Sequence, residues 1–430
     1  MRANAYAELG QFQKQIDDLT SAIRLNPKDL DLYRMRGAAN LNLWHLQNAI
    51  RDATKALNAK DSSEKWGFNL STVALAYEAL NQYDKAIEVR TKLVERFPKN
   101  AFHLAKRARN YEAIGKFELA RADRKRAAAL ASPKDLMYMQ LDDPLIDFKN
   151  ISCETLKIRL AKQLKGNSVI LPFKYDVHGG GLFVPVGING KELQFMVDTG
   201  CSQTQLLKRD LAGVAQVEKL ELEGTMASGK KYSYSFFRAQ TFQLGGLNFS
   251  NVAISVDEHT TGEPTHSGLL GGNIFECFVV TVDYEKQQLT LSNACERASD
   301  QAIIAPMRIR NHIPFLDVKL NGTLDVVAGL DTGAASGFAP DSILRPILNE
   351  NLTFPNHMLG PWLGDVHSAT VPLKSIGIGA STVAGPKIDV IPAHEAARLA
   401  DSVILGNDFL SRFRTVTFDY PGRRVILEPR

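Results

Sequence analysis

From residue 1 to about residue 132, apolar and small residues return every three or four positions, the spacing of an amphipathic helix. That pattern itself recurs at a period near 34: "LGQFQKQIDDLTSAIRLNP" (9–27), "LWHLQNAIRDATKALNAKD" (43–61), "LNQYDKAIEVRTKLVERFP" (80–98) and "IGKFELARADRKRAAALAS" (114–132). Phe12, Leu46, Tyr83 and Phe117 align, as do Ala22, Ala56, Leu93 and Ala127; the middle interval is three residues longer, and the polar stretch "DSSEK" (61–65) absorbs the excess. Each unit reads as two antiparallel helices. Residues 133–166, with Pro133, "LDDPLIDF" and the amphipathic "ETLKIRLAKQL", read as a linker with one short helix. After Gly166 the period drops to two, with Gly and Asn-Gly punctuation, which predicts strands and hairpins almost to the end.

The β region is one unit written twice. "LFVPVGINGKELQFMVDTGCS" (182–202) and "PFLDVKLNGTLDVVAGLDTGAAS" (314–336) both read strand, Asn-Gly, strand, Asp-Thr-Gly. "LLGGNIFECFVVTVDYEKQQLTL" (269–291) and "VILGNDFLSRFRTVTFDYPGRRVIL" (403–427) both read apolar pair, Gly-Asn, short helix, then a strand through Asp-Tyr, a turn and a last strand. The offsets are 133 for Asp198 to Asp331, 134 for Asn273 to Asn407 and 136 for Asp283 to Asp419. A near-constant offset marks an internal duplication. The expected class is therefore multidomain α + β: helical repeats over 1–132, the linker over 133–166, a first β lobe over 167–297 and a second over 298–430.

Composition narrows the function classes. A net charge of +4 gives no reason to expect nucleic acid or a membrane surface as partner. No apolar run reaches the 18 residues of a spanning helix, and "MRANAYAELGQF" lacks the core of a signal peptide. The four cysteines (Cys153, Cys201, Cys277, Cys295) form no C-x-x-C pair, so no zinc site is expected; two disulfides and four thiols fit equally well. The nine histidines show no metal-ligand spacing, and His394-Glu395 lacks the second His of a zincin helix. No cofactor is expected.

The helical units resemble tetratricopeptide repeats, which bury a continuous core by stacking and commonly bind partner peptides on their concave face. Met1 falls where the sixth position of a repeat would be. Either a partial repeat caps the array or the natural chain starts upstream, where an export signal would lie; the expectation is periplasm or cell envelope in that case and cytoplasm otherwise.

Each β unit resembles the aspartic-protease half-domain, and more narrowly the retropepsin-like family, on "FMVDTGCS" with "GLLGGN" and "AGLDTGAAS" with "VILGN". The resemblance implies a bilobal all-β aspartic-protease fold and an endopeptidase whose catalytic pair is Asp198 and Asp331. Two carboxylates held close cannot both ionise, so one keeps a proton while the other activates water. Gly200 and Gly333 allow the tight turn, and the resemblance has Thr199 and Thr332 bonding across to the opposite loop. Ala334 fits the family pattern; Cys201 stands where Ala or Ser is usual. Viral relatives assemble two chains, whereas this chain carries both halves and is expected to pair them within itself.

By position, the hairpins covering substrate should lie near 222–233 and 359–369, with Gly224, Gly229, Gly360 and Gly364 at their tips and Trp362 as a substrate contact or a core aromatic. The expected partners are a peptide or protein substrate and a protein on the repeat array. Three other readings stay open: an inactive protease fold serving as a peptide-binding adaptor, a homodimer that exchanges halves, and Asp residues that merely cap turns.

Overall fold

A computed structural model describes residues 2–8, 11–57, 64–142, 163–164, 168–175, 181–214, 222–225, 231–258, 265–348, 352–360, 364–393, 395 and 402–430. The chain parts into two compact units, one holding the N-terminal helices through Leu136 and the other holding all the strands through Arg430.

The first unit contains helices α1 (Arg2–Glu8), α2 (Phe12–Leu25), α3 (Leu30–Asn42), α4 (Leu46–Lys55), α5 (Glu64–Ala79), α6 (Tyr83–Arg96), α7 (Ala101–Ala113) and α8 (Phe117–Leu130). Each hairpin is closed by the same device. Trp44, Asn81 and Gly115 take left-handed φ angles of 60°, 58° and 76°. The next amides, of His45, Gln82 and Lys116, then donate to the carbonyls of Asn40, Tyr77 and Tyr111 at 2.8, 2.9 and 2.8 Å, which satisfies the helix C-terminus. Ala49, Ala86 and Ala120 recur at one fully buried position of the second helix of each pair. One repeat position varies in kind. Arg36 pairs with Asp52 at 2.7 Å and Arg107 with Asp123 at 2.7 Å, while the middle repeat places Val73 and Val89 there, inside an apolar cluster with Leu70 and Leu93.

A ninth helix, α9 (Pro133–Asp142), occupies a stretch the sequence pattern assigns to linker. Its start is a reciprocal cap: Ser132 Oγ accepts from the Asp135 amide at 3.1 Å, and Asp135 Oδ2 accepts from the Ser132 amide at 3.1 Å. Ser-Pro-Lys-Asp spells that cap, with Pro at the first helical position. Of the predicted helix "ETLKIRLAKQL", only Gln163 and Leu164 are among the described residues, and both are helical.

The second unit is built from three sheets of six, eight and ten strands. In the first lobe, strands Leu182–Ile188 and Lys191–Val197 turn through Asn189-Gly190, with φ of 50° and 83°. In the second, Ile313–Leu320 and Leu324–Leu330 turn through Asn321-Gly322, with φ of 50° and 72°. Positive φ at both residues suits the strand twist, and Asn-Gly tolerates it best; the first loop has these two residues alone, and the second adds Thr323. The outgoing strand of each hairpin then pairs in parallel with a short apolar strand, Val197 opposite Leu270 and Leu330 opposite Leu405.

The six-stranded sheet belongs to both lobes. Val279–Asp283 lies antiparallel to Thr415–Asp419, with Thr281 opposite Thr417 and their hydroxyl oxygens 2.8 Å apart. Val279 faces Asp419 and Asp283 faces Thr415, so the register maps onto itself when the lobes are exchanged. One face carries the buried Val280, Val282, Leu289, Leu291, Val416, Phe418, Val425 and Leu427. Among the described residues, no helix is long and apolar enough to cross a membrane, and no cluster of side chains is suited to hold a metal ion.

Candidate active site

Each Asp-Thr-Gly begins where its apolar strand runs out. The Asp198 amide donates to the Leu270 carbonyl and the Asp331 amide to the Leu405 carbonyl, both at 3.0 Å, so the neighbouring parallel strand fixes the start of each loop. The loops end alike. Gly272 N–H donates to the Cys201 carbonyl and Asn407 N–H to the Ala334 carbonyl, both at 2.8 Å.

The two loops interlock through their threonines. Thr199 Oγ1 donates to the Leu330 carbonyl at 2.7 Å and accepts from the Thr332 amide at 3.0 Å. Thr332 Oγ1 donates to the Val197 carbonyl at 2.8 Å and accepts from the Thr199 amide at 3.1 Å. Both threonines are fully buried, so all four bonds are shielded from water.

This lock brings the two carboxyl groups together. A Cβ added to Gly200 would collide with the Asp331 carboxyl, and one added to Gly333 with that of Asp198. Glycine is required at both positions because the opposite acid fills the space a side chain would need. Asp198 Oδ1 accepts from the Cys201 amide at 2.8 Å and Asp331 Oδ1 from the Gly333 amide at 2.8 Å.

Burial raises the pKa of both acids above the ordinary carboxyl value. The charge of Asp331 adds to burial in raising Asp198, while the amides of Gly333, Ala334 and Gly200 oppose the rise at Asp331. The pair is arranged to share one proton.

Burial also pushes the Cys201 thiol well up, and the Asp198 charge adds to it. Its Sγ donates to the Gln203 carbonyl at 3.1 Å, so the group is a protonated thiol rather than a nucleophile. Cys201 and Cys295 are not in disulfides, and Cys153 lies outside the described residues.

The flap candidates fall on two hairpins. Gly224 sits within strand Leu222–Thr225, opposite Tyr232, rather than at the turn. Gly360 and Gly364 face each other as the last pair of a second hairpin. Gly229 and Trp362 lie outside the described residues.

The sequence reading gave no role to the asparagine of either Gly-Asn motif. Asn273 Oδ1 accepts from the Thr204 amide and hydroxyl at 2.9 and 3.0 Å. Asn407 Nδ2 donates to the Thr332 carbonyl at 2.7 Å. The only signal in the sequence was their recurrence 134 residues apart.

Comparison with known proteins agrees with this architecture. The family model described as aspartyl protease matches residues 184–274, and the tetratricopeptide repeat model matches residues 1–29. Among solved structures, an aspartic proteinase from Irpex lacteus is similar at 15% identity, covering 61% of this chain and 97% of its own, with a TM-score of 0.43. Basic 7S globulin from soybean is similar at 10% identity over 61% of this chain and 95% of its own, with a TM-score of 0.38. The MamA protein is similar at 22% identity over 30% of this chain and 68% of its own, with a TM-score of 0.28. The class is thus a tetratricopeptide-repeat region followed by an all-β region of aspartic-protease type.

Proposed function

We propose that the chain is an aspartic endopeptidase in which Asp198 and Asp331 activate one water for attack on a peptide bond. The observation that carries the reading is the pair of buried carboxyls meeting across loops that lock each other through Thr199 and Thr332. The ionised member of the pair takes a proton from the water as it attacks. The protonated member hydrogen-bonds the scissile carbonyl and stabilises the developing oxyanion. A second proton transfer then delivers hydrogen to the leaving amine. Both acids come from one chain, so a single molecule completes its own site, and activity per chain should not depend on protein concentration. The repeat array docks a protein substrate or partner, and its contacts lower the Michaelis constant rather than the chemical barrier.

The test is cleavage of casein or a peptide library by the full chain and by Asp198→Asn and Asp331→Asn. Activity lost in both variants with the fold retained is the expected result. Activity surviving in either one sinks the dyad, and a wild-type chain that binds peptides without cutting them makes this an adaptor.

A further inference from the structure

The entry, lock and exit bonds of the two loops are duplicated, and one contact that is not points to a further positioning residue. Tyr284 leaves the six-stranded sheet directly after strand Val279–Asp283 of the first half. Its hydroxyl donates to Asn407 Oδ1 at 2.7 Å, and Asn407 Nδ2 donates to the Thr332 carbonyl at 2.7 Å. A buried chain of two hydrogen bonds therefore runs from the shared sheet to the backbone beside Asp331. The phenol ring is held edge-on by Phe173 and Tyr175, with centroids at 6.4 and 6.1 Å, so its hydroxyl has little freedom.

The duplicate of Tyr284 is Tyr420, after strand Thr415–Asp419, while the position of Asn407, whose amide bonds the Ala334 carbonyl, is held in the first lobe by Gly272, whose amide bonds the Cys201 carbonyl. The corresponding bond is missing. Tyr420 is 1% exposed, yet its hydroxyl finds no hydrogen-bond partner among the described residues. The reason lies in one residue: Gly272 has no side chain with which to bridge sheet and loop. Asn273 sits one position on, as the counterpart of Asp408, and accepts from the Thr204 amide and hydroxyl as Asp408 Oδ1 accepts from the Gly337 amide at 3.1 Å. Asn407 is left to link Tyr284 and Thr332.

We propose that Tyr284 positions the Asp331 loop through Asn407, and that Tyr420 gives the Asp198 loop no equivalent hydrogen bond. For its kinetic consequence the proposal depends on the proteolytic reading above; for its structural consequence it does not. The tie fixes the carbonyl of Thr332, the residue that follows Asp331 and locks the two loops together.

The experiment compares wild type, Tyr284→Phe and Tyr420→Phe by amide hydrogen exchange resolved to peptides over 329–335 and 196–202, together with kcat and KM on one peptide. Losing one buried hydrogen bond should speed exchange over 329–335 about fivefold in Tyr284→Phe. Exchange over 196–202 should stay unchanged, and kcat should fall at constant KM. Tyr420→Phe should leave all of these unchanged. Asn407→Asp keeps the acceptor for Tyr284 but removes the donor to Thr332, so it should reproduce the local loosening even if Tyr284→Phe does not fold. Equal exchange in wild type and variants overturns the proposal, and so does loosening of both loops alike. If the wild type cuts nothing, the proteolytic reading falls while the exchange data still decide the tie.

Discussion

The two Asp-Thr-Gly loops share their entry, their threonine lock and their exit, yet differ in what stands behind them. The loop of Asp198 is backed by Thr204 and followed by a thiol; that of Asp331 is backed by Tyr284 through Asn407 and followed by a methyl group. Shared features are those that bring the carboxyls together, and they leave no room for variation. Divergent features lie one residue further out, where each lobe satisfies its own buried polar groups separately. A duplicated site thus stays symmetric where its halves touch and drifts where they do not.

The largest test removes the acids. Asp198→Asn and Asp331→Asn should each lower kcat/KM by at least about 10³-fold, with neither half spared. Unequal losses would show that the lobes have divided the work.

Next come the glycines. Gly200→Ala and Gly333→Ala each push a methyl group into the opposite carboxyl, and a displacement near 1 Å should cost about a hundredfold in turnover. If one alanine is tolerated, the approach of the loops is looser on that side.

Thr199→Ala and Thr332→Ala each leave a buried carbonyl and a buried amide unpaired. Each should cost roughly 2 kcal/mol in chemical denaturation, and by nearly equal amounts because the bonds are reciprocal.

The pH response sharpens the same comparison. Both carboxyls have folded pKa values above their unfolded ones, so the stabilisation they give is complete below the unfolded value, near pH 4 by about half a unit, and is lost as pH rises through the folded values. The melting temperature of Asp198→Asn should therefore fall less than that of wild type as pH is raised toward neutrality. The kcat/KM profile of wild type should be a bell, because only the singly protonated pair works.

The smallest effect belongs to Cys201→Ala, which makes the first loop chemically like the second. Its thiol serves only the Gln203 carbonyl among the bonds seen, so activity should stay within about twofold.

How much of this could be read from the sequence differs between the regions. The repeats, the two Asn-Gly hairpins and the two Asp-Thr-Gly loops were visible because each depends on local chemistry that returns at a fixed interval. Helix α9 was missed although Ser132 and Asp135 spell its cap, since a single short helix has no second copy to confirm it. The exchange of Arg36–Asp52 for Val73–Val89 was hidden because the two pairs share position and not polarity. The tie from Tyr284 was out of reach for a different reason. Both tyrosines and both Gly-Asn pairs recur, but in the folded lobes the two motifs are shifted by one residue, so Asn407 is matched by Gly272 and only the structure shows which tyrosine has an asparagine to meet.

The hydroxyls of Thr281 and Thr417 meet where the lobes exchange, and a contact between two hydroxyls needs one donor and one acceptor. A shared proton between two carboxyls has the same property. In a true pair of identical chains the two proton placements would be degenerate, and each molecule would visit both equally. Joining the halves into one chain lifts that degeneracy at every such point, because the surroundings of the two partners are no longer equal. The heavy atoms keep the old symmetry, while the protons are free to settle on a side.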